Sequence, residues 1–70
     1  MDESPEVRLL FHRMNNQLGI ILAHAELLES KATDEATRAR AGQVVSSTLE
    51  AMGTAKEIRA IQARLPERKL

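Results

Sequence analysis

Phe11-His12-Arg13-Met14-Asn15-Asn16-Gln17-Leu18 is the stretch on which the reading of this chain turns. Laid on a helix, Val7, Phe11, Met14, Leu18, Ile21, Ala25 and Leu28 form one apolar stripe, stepping by four and three residues. A strand would alternate instead, and no stretch of the sequence does so. His12 falls roughly 150° from the centre of the stripe and is predicted to face away from the core. Asn16 lies one turn beyond it on the same side, and Arg8 one turn before. The result is an outward imidazole with polar and basic neighbours.

Working outward, Ser4-Pro5-Glu6 has the chemistry of a helix start: a capping hydroxyl, a preset backbone angle and an acid for the positive dipole end. The first helix is expected from about residue 5 to 30, a rod of about 39 Å. Inside it Gly19 is the one weak helix former, a tolerated defect or a place where another backbone comes close. Ser30-Lys31-Ala32-Thr33 reads as the turn, with Thr33 capping a second helix that begins Asp34-Glu35. That helix is expected from about residue 34 to 65, where Pro66 stops it. Its apolar positions are Ala41, Val45, Thr48 or Leu49, Met52, Ala55, Ile58, Ile61 and Leu65, with a one-residue slip near Ala55.

A short connection between long helices makes them antiparallel neighbours. With the turn centred near Ala32, His12 would lie level with about Met52. Leu9, Leu10, Ile20, Leu22 and Leu27 fall outside the stripe and find no partner within one hairpin. A two-helix hairpin of this size is marginal without a disulfide or metal. The expected architecture is all-α: a long antiparallel hairpin, one domain over residues 1–70, homodimerising into a four-helix bundle.

Composition narrows the function. Phe11 is the sole aromatic residue, so the core must be aliphatic. Without cysteine there is no disulfide framework or thiolate site, and His12 and His24 are too far apart to suggest zinc. Ten basic and ten acidic side chains cancel, which argues against a dedicated nucleic-acid binder. The run from Leu18 to Ala23 is too short to cross a bilayer, and the acidic start is unlike a signal peptide. A cytoplasmic protein without direct membrane insertion is expected.

An exposed imidazole can attack a phosphoryl group and later hand it on. Arg8 and Arg13 would favour an incoming phosphate, and Asn16 could hydrogen-bond a phosphoryl oxygen or position a water. The plain alternative is a solvated surface histidine. His24, roughly 120° around the helix, reads as a flank residue rather than a second phosphorylation site. The charged residues Glu35, Arg38, Arg40, Glu50, Lys56, Glu57 and Arg59 read as solvated faces.

His12-Arg13-Met14-Asn15-Asn16-Gln17-Leu18-Gly19-Ile20-Ile21, followed by Ala25-Glu26-Leu27-Leu28, resembles the phosphoacceptor box of sensor histidine kinases. The resemblance covers roughly residues 5–65, the extent of that family's dimerisation and histidine-phosphotransfer domain. It implies a four-helix bundle in which His12 relays a phosphoryl group to the aspartate of a response-regulator receiver domain. It also implies that Asn16 matches the position that orients water for phosphatase activity. The partners implied are a second copy, a receiver, and an ATP-binding kinase domain that would hold ATP and Mg. No glycine-rich phosphate loop is present, so no cofactor site and no kinase activity are expected of this chain alone. It would be either an excised domain or a free-standing module.

The chain departs from the family pattern twice. Arg13 stands where the family has an acidic general base, which counts against self-directed kinase and phosphatase chemistry. Gln17 stands where proline is frequent, which affects only the helix bend. Arg13 thereby favours the rival reading: a non-catalytic dimerisation or scaffold module with an idle histidine. For a receiver, Gly19, Ile20, Ala23 and Leu27 form a strip of small and aliphatic residues below His12, facing Gln43, Ser46 and Ser47 of the second helix. The alternative is that Ile20 and Leu27 pack against the dimer mate.

Overall fold

Two helices run antiparallel along almost the whole chain. The computed structural model describes residues 5–64, and within them α1 spans Pro5–Lys31 and α2 spans Glu35–Arg64, with no strand. The hairpin is a slender slab, 58 × 16 × 12 Å. The proposed Ser4 cap and Leu65 fall outside the described residues.

The turn is built differently from the expectation. Asp34, not Thr33, caps α2: its Oδ2 accepts a 2.8 Å hydrogen bond from the Thr37 backbone N–H. That hydrogen bond is the main reason the Asp34 carboxyl is held below its usual range. Arg38 then reaches back from α2, its Nη2 donating to the Ala32 carbonyl at 2.8 Å. This satisfies one of the orphan carbonyls at the end of α1 and ties the two helices at the bend.

The seam is narrow and made of small residues. Phe11, Ala25 and Ala32 are buried against Ala41, Thr48 and Ala55, with Met14, Leu18, Leu22, Val45 and Met52 half-buried between them. Alanine lets the helices lie close but removes little apolar area from water. Thr48 is tolerated there because its hydroxyl donates to the Val44 carbonyl at 2.7 Å within its own helix.

Two expectations about the stripe are corrected. In α1, Leu22 and Glu29 occupy the inner positions, while Ile21 and Leu28 are 45 % and 52 % exposed. In α2 the seam continues through Arg59 and Gln62 rather than Ile58 and Ile61, which are exposed. The physical reason is helix periodicity. From Ala25 a step of four reaches Glu29, and from Ala55 a step of four reaches Arg59, and both long stems can lie along the seam with their polar ends in water. The seam follows the regular turn of the helix rather than hydrophobicity. The aliphatics it leaves out are turned to one side.

Candidate functional site

Register fixes what His12 faces. The Arg59 guanidinium lies over the Phe11 ring, Cζ 5.3 Å from its centroid, a cation–π contact worth on the order of 0.5–1 kcal/mol at a surface. Asn15 shares a surface groove with Ala55, Lys56, Arg59, Ala60 and Ala63. The turn of α1 that carries His12 therefore lies beside residues 55–63 of α2, about one helical turn beyond the expected Met52. Placing the cap at Asp34 moves the bend toward α2, in the direction of the shift.

His12 is exposed, as expected. Because the seam runs through Leu22 and Glu29, it stands about 125° from the seam centre, on the flank of the hairpin rather than its back. Arg8 and His12 line one shallow groove together with Pro5 and Leu9. Arg13, the next residue along, is exposed and turned about 100° away from His12. Asn16 is exposed one turn on, closer to the back of α1.

Three residues of this neighbourhood were passed over in the sequence. Asn15, not Asn16, borders the groove between the helices, and Lys56 and Arg59 reach it from α2. The signal that could have found the two cations was the register across the hairpin, which depends on the identity of the cap.

Gly19, half-buried, and Ala23, Ile20 and Leu27, all exposed, continue down the same outer side of α1 toward the turn. A methyl group added at Gly19 would meet nothing within 4 Å, so the backbone there is open to an approaching surface. The expected facing residues of α2 are corrected in part. Gln43 and Ser47 line a groove with Leu18, Val44 and Ala51 on the opposite face, while Ser46 keeps to the His12 side.

That opposite face is apolar. Ile21, Leu28 and Val44 come together in a groove with Ile20 and Ala25, and His24 stands at its edge. Leu10 and Ile58 carry the same face toward the chain ends. Gln62, half-buried on that side, has an Oε1 with no hydrogen-bond partner among the described residues. Most large aliphatics between 40 % and 61 % exposed thus lie opposite the histidine side or on the helix backs, the exceptions being Leu9 in the His12 groove and Leu49 on the His12 flank.

No group of His, Cys, Asp or Glu that could hold a metal occurs among the described residues. No described helix is long and apolar enough to cross a membrane. No family model, curated protein or solved structure matches the chain.

Proposed function

We propose that this chain is the dimeric phosphoacceptor module of a two-component signalling system. The observation that carries the proposal is the division of the hairpin into two faces. One is aliphatic, and the other carries His12, exposed in a groove with Arg8, and on the same flank a separate groove lined by Asn15 and Lys56. The likeness of the His12–Leu28 segment to the phosphoacceptor box of sensor histidine kinases supplies the chemistry.

In this reading a second copy covers the apolar face and completes a four-helix bundle. The hairpin is 58 Å by 16 Å on its broad side, on the order of 900 Å² in projection, comparable to the roughly 800 Å² per partner of a standard interface. The seam within one chain, mostly alanine, is too thin to hold two such helices together unaided. A partner needed for folding must always be at hand, and a second copy is.

The imidazole Nε2 of His12 attacks the terminal phosphorus of a nucleotide triphosphate held by a separate kinase domain. The N–P bond forms as the P–O bond to the nucleoside diphosphate breaks, the diphosphate carries off the bonding pair, and the imidazole loses its ring N–H proton to solvent. In the second transfer a receiver's aspartate oxygen attacks the same phosphorus, and the N–P bond breaks back to imidazole. Arg8 attracts the phosphate, Asn16 hydrogen-bonds an oxygen or a water, and the strip of Gly19, Ala23 and Leu27 receives the receiver, with Ile20 at its border with the apolar groove. On this reading the chain works in the cytoplasm.

Acid-labile, alkali-stable phosphate on wild type and His24→Ala, but not on His12→Ala, is the expected result after incubation with a kinase domain or a phosphorylated receiver. Label that survives in His12→Ala would end the assignment. The rival is a non-catalytic dimerisation module, favoured by Arg13 in place of an acid. A wild-type chain that dimerises and takes no label from any such donor would establish it.

A further inference from the structure

We propose that Lys56 is a phosphate-binding residue of the His12 site, contributed by α2. The inference rests on the phosphoacceptor reading of His12 and adds a residue from the other helix. Register brings the two together: α1 from Phe11 to Asn15 lies beside α2 from Ala55 to Ala63. Helix geometry puts them on one side, since in an antiparallel pair His12 and Lys56 both project to the flank that Asn15 borders.

The chemistry of the groove fits the role. Ala55, Ala60 and Ala63 keep its α2 wall low, and among the described residues no carboxylate lines it. The Arg59 guanidinium lies over Phe11, whereas Lys56 has no hydrogen-bond or ion-pair partner among the described residues. Glu57, the nearest acid in sequence, is turned about 100° away. A phosphoryl group on an imidazole adds negative charge where the structure offers Arg8 from one side. A flexible ammonium from the other side would complete the cradle as a mobile point charge. Lys56 would then touch the phosphoryl oxygens both as the N–P bond forms and while it persists.

The test uses phosphoramidate, a small donor that needs no partner protein. Nε2 of His12 forms the N–P bond as the P–N bond to ammonia breaks. Ammonia leaves with the bonding pair and takes up a proton, and the imidazole releases one to solvent. The rate of phosphohistidine formation and its lifetime are followed by ³¹P NMR at several salt concentrations. Lys56→Gln should slow formation about five- to tenfold, an exposed cation being worth less than a buried oxyanion donor. It should also flatten the salt dependence of the rate, with dimer mass and helicity unchanged. Lys56→Arg should recover most of the rate, and Lys31→Gln, at the far end of the hairpin, should match wild type. Wild-type rate and salt dependence in Lys56→Gln, or no recovery in Lys56→Arg, would overturn the role of Lys56 and leave His12 standing. Failure of wild type to form phosphohistidine at all would overturn both.

Discussion

The two broad faces of this hairpin are made from the same two helices, yet they carry opposite chemistry. One presents Leu10, Ile21, Leu28, Val44 and Ile58, and the other presents Arg8, His12, Asn15, Gly19 and Lys56. The difference follows from what the seam leaves out. A seam whose buried residues are mostly alanine leaves many of the chain's large aliphatics outside it, free to form a second surface. The lesson is that a thin core and an apolar outer face are two aspects of one design. The proposed second copy would pack against that outer face.

Charging the apolar face should have the largest effect. Ile21→Asp and Leu18→Asp would bury an unpaired carboxylate in the proposed dimer and should cost several kcal/mol, enough to dissociate or unfold it. Ala23→Arg, on the His12 side, should leave sedimentation mass and helicity as in wild type while abolishing transfer to a receiver. A monomeric, fully helical wild type at micromolar concentration would break the comparison, because neither face would then be needed for stability. Next in size is the seam itself. Ala41 is 1 % exposed, so Ala41→Leu must push the helices apart at a cost of about 1–3 kcal/mol, read as a lower midpoint in urea.

How much of this was legible in the sequence depended on whether local or register-dependent information was needed. Helix identity, length and number follow from the four-three spacing and a single turn signal, both local. The outward direction of His12 followed from the same spacing. Ile21 and Leu28 were misplaced because a hydrophobic stripe was taken for the seam, when two neighbouring faces of α1 are apolar and the seam uses Leu22 and Glu29. Thr33 and Asp34 are both good caps, and composition cannot choose between them. That ambiguity adds to the uncertainty in register across the hairpin, on which the placement of Lys56 and Arg59 depends.

A smaller effect separates the faces by their glycines. Gly19 and Gly53 have open space where a methyl group would go, and Gly42 would meet the Glu29 carboxylate at 3.3 Å. By helix geometry all three lie on the His12 side. Gly19→Ala and Gly53→Ala should each raise stability by up to about 1 kcal/mol, because alanine restricts the unfolded chain and suits a helix. Gly42→Ala should gain less, since Glu29 must move aside. If Gly19→Ala is more stable but transfers phosphate to a receiver poorly, its bare backbone serves docking. If it transfers normally, the glycine is only a tolerated defect.

The smallest effect concerns the turn that holds the two faces in register. Asp34 is fully solvated, and its carboxyl is held below the usual range chiefly by the Thr37 backbone N–H, with the Thr37 side chain adding to it. A carboxyl whose folded value is depressed stabilises the fold above its unfolded value, near 3.8. That contribution is lost as pH falls through the lower folded value. Asp34→Asn keeps an oxygen to accept the Thr37 N–H but removes the charge. The variant should melt slightly below wild type at pH 7, and the gap should narrow as pH is taken from 5 to 2. Asp34→Ala, with no acceptor, should keep part of its deficit at pH 2, where the protonated aspartic acid of wild type can still accept a hydrogen bond. A gap between Asp34→Asn and wild type that stays constant with pH would mean that the cap works through hydrogen bonding alone. The register of His12 against α2 would then owe nothing to the charge at the bend.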